Sequence, residues 1–149
     1  MRVLLIEDEH HKRDEMIQCV RDVYNVSPDV VDGVSSAVLK VMESDYDLII
    51  LDMALSTFGE HADDNKKGHD QAQGGIEVLR ALKLAKKRTK VIIVTQYPDF
   101  YIGGIKVKLK DSPKIINSRY DQDVIGTALY QYKSRATHQR IMSILRAHR

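Results

Sequence analysis

One cysteine in 149 residues, Cys19, leaves no partner for an internal disulfide and too few thiolates for a cysteine-based zinc cluster. Charge of one sign is also scarce: 23 Lys and Arg against 21 Asp and Glu give a formal net charge of +2, which creates no strong general attraction for nucleic acid. Apolar runs are short, and none approaches the ~20 residues of a membrane span. The first residues lack a basic leader with a long apolar stretch and a small-residue cleavage site, so a cytoplasmic protein with no membrane association is expected. Internal repeats and low-complexity tracts are missing too. What is present, 43% hydrophobic and 30% charged residues, suits one soluble domain spanning residues 1–149, with a small molecule or another protein as partner.

Strands and helices alternate in the pattern of the chain. Val3, Leu4, Leu5 and Ile6 form an apolar run that ends in Glu7, Asp8 and Glu9; a second, Leu48, Ile49, Ile50 and Leu51, ends at Asp52; a third, Val91 to Val94, ends at Thr95. A short strand is expected within 26–31, at an edge that tolerates Pro28, and a last strand over 128–132. Between them, Met16, Ile17, Val20, Val23 and Tyr24 recur at helical spacing, with Lys12, Arg13, Asp14 and Arg21 placed mostly off that face, and Cys19 at its edge. Further helices are expected on Val34, Ala37, Val38 and Val41, on Ile76, Leu79 and Leu82 after Gly74 and Gly75, and on Ile141, Ile144 and Leu145. Apolar strands without polar alternation are buried on both faces, which predicts an α/β fold with a parallel sheet between helices and its chemistry at the carboxyl ends of the strands. Two segments break the rhythm: 56–73 is polar and rich in His, Asp, Asn and Gly, as a loop would be, and 97–125 alternates Ile105, Val107 and Leu109 with lysines, as an exposed strand would. A displaced or shortened fourth helix would follow.

Strand ends placed side by side gather Glu7, Asp8, Asp52, Thr95 and Lys133. Carboxylates held together repel unless a cation or proton intervenes, so a divalent-cation site is expected, and oxygen donors favour Mg2+. Asp8 and Asp52 would be direct ligands, the backbone carbonyl of Ala54 a third, and Glu7 a ligand through water. Asp52 could then attack phosphorus and form an acyl phosphate, with Thr95 donating to one phosphoryl oxygen and Lys133 pairing with another.

With these residues in this order, the chain resembles the receiver domain of two-component response regulators (CheY-like) over nearly its whole length. The family's acidic pair matches Glu7 and Asp8, its phosphoacceptor Asp52, its hydroxyl residue Thr95 and its lysine Lys133, while Gly126, Tyr130 and Lys133 reproduce its last-strand spacing. The resemblance implies a flavodoxin-like, doubly wound, five-stranded parallel sheet in the order 2-1-3-4-5 with helices on both faces, modified between strands four and five. It also implies a stand-alone phosphoacceptor in a phosphorelay, using Mg2+, accepting phosphoryl from a histidine kinase or phosphotransfer protein, and signalling by binding a downstream protein or a second copy of itself. Thr95 and Tyr130 would be the switch pair, although a strand tyrosine is as often plain packing.

The sequence departs from that family at three places. Ser134 stands where a proline, often cis, usually follows the lysine; a cis bond without proline costs about 2.5–4 kcal/mol, so Lys133–Ser134 is either trans with a rearranged loop or strained. Ser56 stands where another proline is common, and Gln96 replaces a small residue and could cover Asp52. His10, His11, His61 and His69 have no ligand spacing and read as surface residues. Lys86, Lys87, Arg88 and Lys90, like Arg146, His148 and Arg149 in the tail, read as helix-end cations rather than a nucleic-acid surface, since no aromatics interleave. Two other functions compete: a phosphorylation-independent, receiver-shaped interaction module, and a haloacid-dehalogenase-like phosphatase. The latter needs a second aspartate two residues after the first, where this chain has Ala54, so signalling rather than enzymatic turnover is expected.

Overall fold

In the computed structural model, residues 1–55 and 74–149 are described. The expected loop over 56–73, with Ser56, His61 and His69, lies outside the described residues. Five parallel strands form the central sheet in the order β2-β1-β3-β4-β7. These are β1 (Val3–Ile6), β2 (Asp29–Val31), β3 (Leu48–Leu51), β4 (Lys90–Thr95) and β7 (Asp123–Leu129), which is the expected 2-1-3-4-5 order with a hairpin inserted before the last strand. Every residue of β1 and β3 is buried because both faces are covered. Val3, Leu5, Leu48, Ile50, Ile92 and Val94 point to one face, where α1 (His10–Tyr24) and α5 (Arg135–Ala147) bring Met16, Val20, Ile141 and Leu145. Their strand neighbours Leu4, Ile6, Ile49, Leu51, Val91 and Ile93 point to the other, against α2 (Val34–Glu43), α3 (Gly74–Leu84) and α4 (Ser112–Tyr120). The period-two alternation thus divides one continuous apolar run between two cores.

The segment between β4 and α4 is a two-stranded antiparallel hairpin, β5 (Asp99–Ile102) and β6 (Ile105–Lys108). Gly103 and Gly104 close it at φ +58° and +79°, the left-handed backbone that a tight hairpin turn requires at both positions. Phe100, Ile102 and Val107 are buried under it and Lys106 and Lys108 face outward, so the strand expected from the Ile105 alternation is present. A 3-10 turn, Leu109–Asp111, leads into α4, nine residues long with Pro113 in its first turn.

The last strand differs from its expected position. It runs over Asp123–Leu129 rather than 128–132, because it pairs with β4 from Lys90 to Thr95 and slips by one residue at Ile125. Cys19, expected at a helix edge, is fully buried, with its sulfur 3.7 Å from His138 Nδ1 of α5, and burial pushes its thiol up to about 12. In the basic run, Lys87 reaches across to α2, where its ammonium donates to the carbonyls of Val41 at 2.8 Å and Ser44 at 3.1 Å. It satisfies the carboxyl end of a neighbouring helix. No helix among the described residues is long and apolar enough to cross a membrane.

Gly75 opens α3 against the turn that follows Asp52. A Cβ there would lie 2.6 Å from Met53 Cα, backbone that cannot yield cheaply. Gly75→Ala is expected to destabilise the fold by about 1–3 kcal/mol, the range for overpacking a tight contact, read as a lower midpoint in urea unfolding.

Candidate functional site

Strand register sets the first two carboxylates. Ile6 pairs with Leu51, so the residues that follow them, Glu7 and Asp52, leave the sheet side by side. Glu7 N–H still donates to Val31 C=O at 3.0 Å and Asp52 N–H to Ile6 C=O at 3.3 Å. Both side chains are buried, at 1% and 2% exposure, and Asp8 is exposed beside them. Carboxylate oxygens of Glu7, Asp8 and Asp52 all lie within 4.8 Å of one another.

Helix α1 then supplies a cation. Glu9 is its N-cap, accepting from His11 N–H at 3.1 Å and Lys12 N–H at 2.7 Å, so the first turn starts directly at the acidic run. Lys12 was expected off the buried face; it is 0% exposed. Its ammonium lies 2.7 Å from Glu7 Oε1 and 3.1 Å from Asp52 Oδ2. The remaining oxygens are held by backbone: Glu7 Oε2 accepts from Glu9 N–H at 3.0 Å and Asp52 Oδ1 from Ala54 N–H at 2.9 Å. Lys12 thus meets both carboxylates as charge contacts. The sequence did carry a signal for this. Lys12 shares the helical phase of Met16, Cys19 and Val23, all buried, so it stands at the middle of the apolar stripe.

One ammonium facing two buried carboxylates leaves an uncompensated charge. Burial first, and then the charge of Asp52, push the Glu7 carboxyl up to about 8, with Lys12 opposing the shift. Three carboxylates, one of them solvent-facing, form an oxygen donor set that suits a hard cation retaining several waters, and the ammonium lies along its Glu7–Asp52 edge.

Thr95 ends β4, fully buried, and its Oγ1 accepts from Tyr97 N–H at 3.4 Å. Tyr130 extends the ladder one residue beyond β7, donating its N–H to Thr95 C=O at 2.7 Å. Its ring is buried with the Lys12 ammonium 5.7 Å from the centroid. The hydroxyl is buried near Glu15 without a well-formed hydrogen bond, and burial pushes it up to about 12. Gln96 is exposed.

Lys133 is placed differently from the other expected residues. It is exposed, in the left-handed region at φ +58°, with its ammonium 5.3 Å from the ring of Tyr132, and among the described residues it makes no ion pair with Glu7, Asp8 or Asp52. Ser134 explains the loop. Its N–H closes a turn onto Gln131 C=O at 3.1 Å and its hydroxyl accepts from Thr137 N–H at 3.2 Å as the N-cap of α5. A proline there would have neither the N–H nor the side-chain oxygen, and the peptide is trans, since no cis bond occurs among the described residues.

No protein-family model matches the sequence, and no curated protein matches it. Solved structures do. A response regulator from Colwellia psychrerythraea shares 18% identity over 98% of this chain and 97% of its own, with a TM-score of 0.62. The response regulator TrrA from Thermotoga maritima, in complex with Mg2+ and BeF, shares 17% identity over 96% of this chain and 97% of its own, at 0.57. A CheY-like receiver domain protein from Methanospirillum hungatei JF-1 shares 17% identity over 97% and 92%, at 0.55. The fold of this chain is therefore that of response-regulator receiver domains.

A carboxyl that keeps its proton to higher pH when folded stabilises the fold fully below its unfolded value of 4.5 and loses that contribution as pH rises through about 8. The melting temperature of the wild type is expected to fall across this window more steeply than that of Glu7→Gln, which has no proton to lose; equal slopes would show that Glu7 is already ionised when folded.

Proposed function

We propose that this chain is a phosphoacceptor receiver in phosphorelay signalling, with Asp52 as the acceptor. The observation that carries the reading is the convergence of Asp52 with Glu7 and Asp8 at the carboxyl ends of adjacent strands in a receiver fold. Asp52 Oδ1 accepts from Ala54 N–H and Oδ2 faces the Lys12 ammonium; each keeps a lone pair, and the attacking oxygen is one of these two. Its lone pair forms the new P–O bond while the bond from phosphorus to the donor's nitrogen or oxygen breaks, and the donor retains that electron pair. Glu7, Asp8, Asp52 and the Ala54 carbonyl would hold Mg2+, which neutralises charge on the transferring group. The Thr95 hydroxyl would donate to a phosphoryl oxygen from the end of β4. Lys133 would have to leave its place over Tyr132 to reach another.

Ala54 has no side-chain acid to protonate a leaving group or activate water, which favours a one-way acceptor over an enzyme with turnover. The donor would be a histidine kinase or a phosphotransfer protein. Tyr130, adjoining Thr95, would report the adduct to a downstream protein or a second copy of the chain. A second reading, a receiver-shaped module that binds its partner without phosphorylation, is favoured by the exposed position of Lys133. Incubation with Mg2+ and acetyl phosphate followed by intact mass separates the two. A labile phosphoryl adduct on the wild type that is missing from Asp52→Ala supports the acceptor; no adduct from any donor supports the module.

A further inference from the structure

We infer that the Lys12 ammonium is a resident cation of the acidic pocket, holding one oxygen each of Glu7 and Asp52 at rest, so that a divalent ion enters only by displacing it. The inference rests on the reading of this pocket as a cation site and specifies what controls its loading. Four observations carry it. The ammonium is 0% exposed and lies 2.7 Å and 3.1 Å from one oxygen of each buried carboxylate. The other oxygen of each already accepts a backbone N–H, from Glu9 and Ala54, so the oxygens without a backbone donor are the ones Lys12 holds. Asp8, the third carboxylate, is exposed beside them. The placement of Lys12 is fixed by the chain itself, since the Glu9 cap accepts from Lys12 N–H and starts the helix that aims the side chain inward.

Two cations cannot share these oxygens at contact distance without strong repulsion, because like charges a few ångströms apart interact strongly where water is excluded. The four-carbon stem of lysine, unlike a fixed ligand, lets the ammonium swing away when a stronger cation arrives. Lys12 therefore sets a threshold: the divalent ion must outcompete a tethered charge, and Lys12 keeps those oxygens when it does not.

The test is Mg2+ titration of wild type, Lys12→Met and, as a surface control, Lys108→Met, followed by heteronuclear NMR, with thermal melting to establish folding. Lys12→Met is expected to bind Mg2+ at least about tenfold more tightly than wild type, with Lys108→Met unchanged. Equal affinity in Lys12→Met and wild type overturns the role of Lys12 and leaves the cation site standing. Failure of every form to bind overturns both. If Lys12→Met does not fold, acylation of lysines in the wild type, mapped by peptide mass, decides the matter: Lys12 labelling that rises with Mg2+ supports displacement, and Lys12 shielded at all Mg2+ concentrations overturns it.

Discussion

An ammonium withdrawn from water must be surrounded by negative charge, and in this chain that demand joins the sheet to its first helix. Lys12 bridges Glu7, at the end of β1, and Asp52, at the end of β3, and each of those carboxylates is buried on the condition that the ammonium is there. Breaking such a buried set by removing one partner generally costs about 3–5 kcal/mol, far more than a surface ion pair contributes. The parallel register of β1 and β3 brings the carboxylates together, and the Glu9 cap decides where the helix begins. Neither arrangement is complete without the other.

Much of the fold could be read from apolar runs because β1, β3 and β4 are buried on both faces and therefore have no polar alternation to obscure them. Of the hairpin, one exposed strand was readable from the alternation of Ile105 and Val107 with lysines, although only Val107 is buried; its partner strand and the turn were not. The last strand was misplaced because its burial is patchy, with Ile125, Gly126 and Thr127 only half-buried, so no apolar run marked its start. Among the site residues, the convergence of Glu7, Asp8 and Asp52 followed from topology alone. The position of Lys12 did not, since a lysine on a helix is ordinarily solvated, and its membership of the Met16, Cys19 and Val23 stripe runs against that expectation. Ser134 was seen as a missing proline rather than as a helix cap, although a serine directly before a helical run is a recognised start signal.

The same physical logic explains the divergent loop after the last strand. Once Ser134 closes a turn and caps α5, Lys133 takes a left-handed backbone and its side chain runs along Tyr132, whose ring lies 4.6 Å from that of His11. Among the described residues, the two lysines Lys12 and Lys133 are in opposite conditions. Lys12 is buried and charge-paired, whereas Lys133 is solvated over an aromatic ring. The sheet and its covering helices are shared with solved receivers at under one-fifth identity.

The Glu9 cap and Lys12 belong to one continuous turn of helix, so the identity of the buried cation depends on helical phase. Each residue along α1 advances the side chain by about 100°, and His11 and Arg13 occupy the steps on either side of Lys12. Insertion of a single residue just after the cap would bring His11 into the place of Lys12, exchanging a permanent charge on a flexible stem for an imidazole that is charged only under mildly acidic conditions. A deletion would bring Arg13, with a guanidinium broad enough to hold both carboxylates but too bulky to withdraw easily. The spacing between cap and lysine is therefore as much a determinant of this pocket as the lysine itself.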